Sequence, residues 1–457
     1  MRADSDDPLT RALAPPEDET PEARDTRLRA EAEARRVSDA IDEQLGRERA
    51  ALKKRKLMKM LLLGQSESGK STTLKNMQMT YTPKAWAHER DGWKAVIQLN
   101  LIRTVLALVD ALAIVLATPA SNPSTPPTHS SPLPLGSSPP SPTSDDAHLA
   151  PPVLTHDRRT ALLKLKLRLA PLRQERAREL TLGSSSSSRP MSPDGGGGER
   201  DCTSEVLAGC AEDMCALWED DAVREVVRQR RVLSALGDSA EYFLRHIGRI
   251  ATRGYEPSDG DILRARIRTL GVQEYYLKFE VGSEYERDVG KEWCIYDVGG
   301  SRTSRAAWLP YFSDVHAILF LAPISAFDER LVEDRRVNRL EDTFLLWNSI
   351  AKSELLRGCI LILFMNKCDV LDEKLKAGVR VNRYMTSYGA RPNDVATFSS
   401  YLKVKFRELL QAGIPDAQRP FYCFTTSVVD AEATAKTLAS VRDGVLQSYL
   451  QKASLVV

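Results

Sequence analysis

Short, nearly continuous apolar runs recur along the chain at LMKMLLLG (57–64), YYLKFEV (275–281), KEWCIYDVGG (291–300), AILFLAP (317–323), GCILILFMNK (358–367) and PFYCFTTS (420–427). Each reads as a β-strand. Helix-period stretches separate the last three, which implies an α/β sheet with crossover helices. The strand at 57–64 belongs to that sheet, and a helix is expected from Lys70. Between these parts the pattern is helical over 82–117, over ALLKLKLRLAPLRQERAREL (161–180), and from Ser204 to about Arg253. The helical block therefore reads as an insertion into the α/β domain. Within it, VLALVDALAIVLA is interrupted by Asp110 and falls short of the roughly 20 residues that span a bilayer, so a buried helix is expected.

Two stretches break the pattern. SNPSTPPTHSSPLPLGSSPPSPTSDD and GSSSSSRPMSPDGGGGER are low in complexity and cannot pack a core, which places insertions at about 118–157 and 183–200. Fourteen of the 25 prolines lie between Pro119 and Pro193. Residues 1–25 are polar, charged and proline-bearing and read as disordered. Residues 26–56 read as a charged N-terminal helix with Val37, Ile41, Leu45 and Leu52 on one face. That stripe suits either a solvated helix or a partner-binding one.

Composition narrows the class. The 457 residues suffice for two or three domains, and 42% are hydrophobic, so the chain is not wholly disordered. Lys plus Arg number 64 against 62 for Asp plus Glu, a formal charge of +2 that excludes binding of nucleic acid by bulk charge. Seven cysteines without regular spacing make no disulfide framework and point to free thiols in a reducing compartment. MRADSDDP has no apolar signal region, and Met1 is not followed by glycine, so the N-myristoylation pattern is absent. The expectation is an intracellular protein, soluble or held at a membrane only through partners.

GQSESGKS, Gly64 to Ser71, follows a strand and opens a helix, the context that a GxxxxGK[ST] phosphate loop needs. Glycines let backbone N–H groups converge on phosphate oxygens at a helix N-terminus. Lys70 would bind the β- and γ-phosphates, and the Ser71 hydroxyl would ligate Mg²⁺. Asp297 to Gly300 (DVGG) ends another strand: Asp297 suits a Mg²⁺ held through water, and Gly300 lets its N–H approach the γ-phosphate. Asn366, Lys367 and Asp369 form NKCD after a buried strand. A carboxylate at Asp369 accepts the two N–H donors of guanine N1 and N2, which adenine lacks. Thr425, Thr426 and Ser427 follow the last strand as the remaining base loop.

The order of these motifs resembles that of α subunits of heterotrimeric G proteins, from about Arg27 to the C-terminus outside the low-complexity inserts. The resemblance implies a Ras-like P-loop GTPase domain over 57–81 and 261–457, with an all-α helical domain over 82–260 and the N-terminal helix. DILRARIRTLG (261–271) is similar to the family's first switch. By that match Arg266 is an arginine finger in cis, Thr269 is the second protein ligand of Mg²⁺, and Leu263 and Arg264 lie at the nucleotide. LGDSAEYFL (236–244) resembles the helical-domain segment over the nucleotide, with Asp238 and Ser239 facing it. Gly64, Glu67, Ser68, Gly69, Lys70, Ser71 and Thr72, with Gly300, Asn366, Lys367, Asp369 and Ser427, complete the implied GTP/GDP site. The implied partners are a βγ dimer, a G protein-coupled receptor and a downstream effector. The implied location is the cytoplasm and, peripherally, the inner face of the plasma membrane.

Several positions depart from the family. Ser301 stands where the second switch usually carries the glutamine that orients the attacking water, and serine is too short for that task. Ser66 replaces a glycine and crowds the γ-phosphate. Both changes imply slow hydrolysis with nucleotide binding kept. TSRAAW after Arg302 carries less charge than usual, and Leu270 replaces a small hydroxyl residue. Arg2 and Ala3 stand where many members carry an acylated glycine and cysteine. KKRK (53–56) suits either anionic lipid or a solvated helix end, and the tail ends SLVV with Ser454 in a cysteine position. Leu455 and Val456 suit insertion into a receptor. The alternative function is a nucleotide-binding scaffold with negligible GTPase activity. An ATP-using P-loop enzyme is disfavoured by Asn366 and Asp369.

Overall fold

The computed structural model describes residues 20–54, 57–117, 155–176, 202–229, 232, 236–267, 269, 271–280, 292–413 and 419–452. The chain divides into a unit of Met1–Met58 with Arg287–Glu292 and a larger unit of Lys59–Glu286 with Trp293–Val457. The smaller unit is described through helix α1, Pro21–Lys54. This helix starts inside the stretch expected to be disordered. Thr20 caps it, its hydroxyl accepting from Ala23 N at 3.3 Å and its carbonyl from Arg24 N at 2.9 Å. Pro21 and Glu22 then supply the fixed φ and the negative charge that a first turn favours. Val37, Ile41 and Leu45 are exposed along α1. The Leu52 and KKRK side chains, residues 1–19, Leu270 and the 453–457 tail lie outside the described residues, as do most of the two inserts.

In the larger unit the sheet has six strands: β1 Met58–Gly64, β2 Val272–Lys278, β3 Glu292–Val298, β4 Ala317–Pro323, β5 Ile360–Asn366 and β6 Phe421–Thr425. Their spatial order is β2-β3-β1-β4-β5-β6, and the β1–β4, β4–β5 and β5–β6 pairs are parallel. Every residue of β4 and β5 is buried, which is why these strands read as unbroken apolar runs rather than alternating ones. Helices α2 (Lys70–Tyr81), α11 (Arg339–Ala351), α12 (Cys368–Lys376), α13 (Val395–Gln411) and α14 (Ala431–Lys452) accompany the sheet. One core forms around it from Leu61, Val298, Phe320, Trp347, Phe398 and Phe406.

Between α2 and β2 lie α3 (Pro83–Glu89), α4 (Trp93–Ala117), α5 (His156–Arg168), α6 (Cys202–Glu219), α7 (Asp221–Gln229), α8 (Ala240–Arg245), α9 (Ile247–Ile250) and α10 (Asp259–Arg264). They build a second core, in which Leu101, Val105, Leu108, Met214, Phe243 and Ile250 are buried. The stretch Pro83–Ala113 is long and apolar enough to cross a membrane by length and composition, yet 67% of its apolar window is buried in the protein. Its larger part is α4, whose buried Leu101, Val105 and Leu108 lie in this second core.

Two boundaries shift from expectation. Helix α5 begins at His156, inside the first expected insert, because the Thr155 hydroxyl caps Arg158 N at 3.4 Å. The basic segment 161–180 is not one helix: α5 ends at Arg168, and among the described residues helix resumes at Pro171, which opens a new turn. Ser258 and Asp261 form a reciprocal capping box that opens α10.

Candidate functional site

The loop from Gly64 to Lys70 leaves the buried end of β1 and turns back into α2. Gly64 (φ +142) and Gly69 (φ +103) both need a conformation that side chains resist, and a Cβ at Gly69 would lie 2.4 Å from Asn366 Nδ2. Glu67 adopts φ 60. Lys70 is buried, and its ammonium donates to Gly64 O at 2.9 Å and Gln65 O at 2.7 Å. Burial pushes its pKa down to about 8 against the pull of Asp297. The loop thus presents its backbone and one cation at a helix N-terminus, the geometry of an anion cradle.

Ser71, Thr269 and Asp297 come from three separate elements and meet. Ser71 Oγ donates to Asp297 Oδ2 at 2.6 Å, Ser71 and Thr269 hydroxyls are 3.1 Å apart, and Thr269 Oγ1 lies 3.4 Å from Asp297 Oδ2. Asp297 is 1% exposed, burial holds its pKa above the usual value, and its Oδ1 has no hydrogen-bond partner. Two hydroxyls and a buried carboxylate with a spare oxygen form a hard-oxygen donor set, and this fits Mg²⁺. Among the described residues no cluster of three His, Cys, Asp or Glu competes with it.

Arg266 reaches the same loop. Its Nη1 donates to Glu67 Oε1 at 3.0 Å and to Leu236 O at 2.8 Å. The guanidinium lies over Gly237 (φ +86), where a Cβ would fall 2.0 Å from Arg266 Nη2. Asp238 and Lys367 pair at 2.6 Å. Burial alone would raise the Asp238 pKa, but Lys367 and Arg266 outweigh it and hold the carboxyl below its ordinary value. Ser239 precedes α8, with its carbonyl accepting from Phe243 N. Thr72 Oγ1 donates to Leu263 O at 3.4 Å. Arg264 turns elsewhere: its guanidinium stacks 4.4 Å from the Tyr242 ring and donates to Gly260 O.

Asn366 is 1% exposed and ties two loops together. Its Nδ2 donates to Ser68 O at 2.8 Å, and its Oδ1 accepts from Thr426 Oγ1 and Val428 N at 3.2 Å. Lys367 takes φ 65, and Asp369 is exposed in the first turn of α12. Ser427 carries its carbonyl to Asp430 N and Thr434 Oγ1.

The segment after β3 closes onto the phosphate loop. Ser66 N donates to Gly300 O at 3.1 Å, and a Cβ on Gly300 would meet Ser66 N at 2.4 Å. Ser301 Oγ lies 2.9 Å from Ser304 Oγ and 3.1 Å from Thr303 Oγ1, so it serves its own turn.

A family model described as "G-protein alpha subunit" matches residues 35–445. The chain belongs to the G-protein alpha subunit family. It is 31% identical to the guanine nucleotide-binding protein alpha-4 subunit of Mycosarcoma maydis, over 100% of this chain and 96% of the relative. It is 29% identical to the alpha-2 subunit of Neurospora crassa, over 92% and 96%, and 29% identical to the alpha-13 subunit of Mus musculus, over 93% and 94%. This G-protein alpha subunit is accordingly a guanine nucleotide-binding signalling subunit.

Sequence reasoning passed over several residues around this site. Gln65 is buried and donates to Asp342 Oδ2 at 2.5 Å and Arg339 O at 2.8 Å. Asp342 also takes Arg305 Nη2 at 2.5 Å and Arg302 Nε at 3.2 Å. Lys75 and Asn100 hold the backbone next to Arg266. For Asn100 the available signal was a polar residue inside an apolar helical stretch, IQLNLI; Lys75 lies in the mostly polar TTLKNM and gives no such signal.

Proposed function

We propose that this subunit is a GTP-dependent switch that binds GTP or GDP with Mg²⁺ and hydrolyses GTP slowly. The convergence of Ser71, Thr269 and Asp297 beside Lys70 carries the reading. Lys70 and the loop N–H groups bind the β- and γ-phosphates. Ser71 and Thr269 would hold Mg²⁺ directly and Asp297 through water, and the bound ion neutralises charge on the phosphate oxygens. Arg266 offers a fixed cation to the charge that develops as the γ-phosphoryl transfers to water. Asp369 reads guanine, and Asn366 keeps its loop against Ser68.

Slow turnover follows from two side chains. The Ser301 hydroxyl is short and engaged with Thr303 and Ser304, so no group extends from that position to orient water. Ser66 adds a side chain where its backbone N–H is already committed to Gly300 O. Single-turnover phosphate release tests this. The Ser301→Gln variant should release phosphate at least about tenfold faster; equal rates overturn the slow-switch reading.

As a family member the subunit would work with a βγ dimer, a receptor that drives exchange, and an effector. The exposed Val37, Ile41 and Leu45 on α1 suit such a partner. Its place would be the cytoplasm and the inner face of the plasma membrane, reached through these partners.

A further inference from the structure

Lys75 is a buried ammonium on α2 that phosphate binding does not use; it is 5% exposed. Its Nζ donates to Ile262 O and to Ala265 O, both at 2.8 Å, and lies 4.1 Å from the centre of the Trp93 ring. Burial pushes its pKa down to about 7, while Asp297 pulls it up. A buried ammonium is unfavourable unless its donors are matched, so those two carbonyls are its reason for being there. Both sit at the C-terminal end of α10, where a cation is favoured; Ile262 O also accepts from Ala265 N at 3.2 Å, so Lys75 reinforces the last turn of the helix. Arg266 is the next residue.

Asn100 holds the other flank from α4. Its Nδ2 donates to Arg266 O at 3.2 Å, and its Oδ1 accepts from Arg266 N at 3.2 Å. Its Nδ2 is fixed in turn by Val96 O at 2.7 Å. Three backbone atoms, Ala265 O, Arg266 N and Arg266 O, are therefore held by two side chains from two helices. The Arg266 side chain leaves this anchored point toward Glu67 and Leu236 O.

We propose that Lys75 and Asn100 form a clamp on the backbone of residues 265–266 that positions Arg266 for phosphoryl transfer. Both are positioning residues and neither touches the phosphates. The inference rests on the reading of Arg266 as the charge-stabilising arginine. Misplacing such a group by about 1 Å costs on the order of 100-fold in rate, so a clamp remote from the chemistry has a measurable effect.

The test is single-turnover phosphate release by the full chain, paired with Mg²⁺-dependent binding of a non-hydrolysable GTP analogue. Lys75→Met and Asn100→Leu should each slow release by about 10- to 100-fold, with analogue affinity within about twofold. Lys75→Arg should recover most of the rate. On an Arg266→Ala background, Lys75→Met should have no further effect, because its action runs through that arginine. Unchanged rates in both single variants overturn the clamp. So does an equal loss on the Arg266→Ala background, or loss of analogue binding in both variants, since each marks a merely structural role. If Arg266→Ala itself leaves the rate unchanged, the assignment of Arg266 fails and the clamp falls with it. Slowing by Arg266→Ala alone would refute only the clamp.

Discussion

The ammonium of Lys367 lies 2.6 Å from the carboxylate of Asp238, joining the loop after β5 to the turn before α8. One partner belongs to the segment proposed to read guanine and the other to the helical insertion, so the pair fastens these two parts together. It is partly exposed, and a pair of this kind is worth about 0.5–1 kcal/mol. Asp238→Asn should therefore raise the dissociation rate of fluorescent GDP by about two- to fivefold. An unchanged off-rate would mean that the lid is held by its apolar contacts alone.

Under the slow-switch proposal, Ser66 and Ser301 would act on the same reaction from either side of the contact between Ser66 N and Gly300 O. Restoring the glutamine at 301 supplies a group that reaches the attacking water. Ser66→Gly removes a side chain from the crowded side. The double variant should hydrolyse GTP faster than either single variant in single-turnover assays, and the two gains should not multiply, because both act on one water and one phosphate.

The strands and the nucleotide motifs were legible because their signals are local. β4 and β5 are buried on both faces, so apolar runs alone mark them. The loops at 64–71, 297–300 and 366–369 are short, and their chemistry follows from residue type and order. What stayed hidden was set by distance in sequence. Asn100 meets Arg266 across 166 residues, and Gln65 meets Asp342 across 277. No periodicity encodes such pairings. The start of α1 was misread for a different reason: Thr20-Pro21-Glu22 is a capping sequence, but its acidic, proline-bearing surroundings suggested disorder. The stacking of Arg264 on Tyr242 is likewise a contact that the matched motif does not encode.

Asp261 should govern acid stability at the base of the first switch. It is fully buried and accepts from Arg249 at 2.6 and 2.7 Å, from Tyr242 and Tyr255 hydroxyls, and from Ser258. Burial alone would raise its pKa, but the Arg249 and Ser258 hydrogen bonds prevail and hold it well below the usual carboxylate range. A depressed folded-state pKa adds stability that is full above the unfolded value and is lost as pH falls through the folded one. Thermal stability should thus decline below about pH 4. Asp261→Asn should cost about 3 kcal/mol at neutral pH and flatten that acid limb. A variant with an unaltered melting profile from pH 7 to pH 3 would contradict this.

Asp369 is exposed in the first turn of α12, free to face a base. Replacing its carboxylate by an amide substitutes a donor for one acceptor and removes the charge. Hydrogen bonds to a charged group are worth about 1.5–3 kcal/mol, so Asp369→Asn should lower the preference for GTP over ATP by at least about tenfold in competition assays. An unaltered preference would place guanine recognition elsewhere.

The most direct test of the central claim is equilibrium binding of a non-hydrolysable GTP analogue with and without Mg²⁺, challenged by GTP, GDP and ATP. The account predicts saturable binding that Mg²⁺ strengthens, that Ser71→Ala and Thr269→Ala weaken, and that GTP and GDP but not ATP displace. Binding indifferent to Mg²⁺ and to both hydroxyls, or displaced equally by ATP, would contradict it.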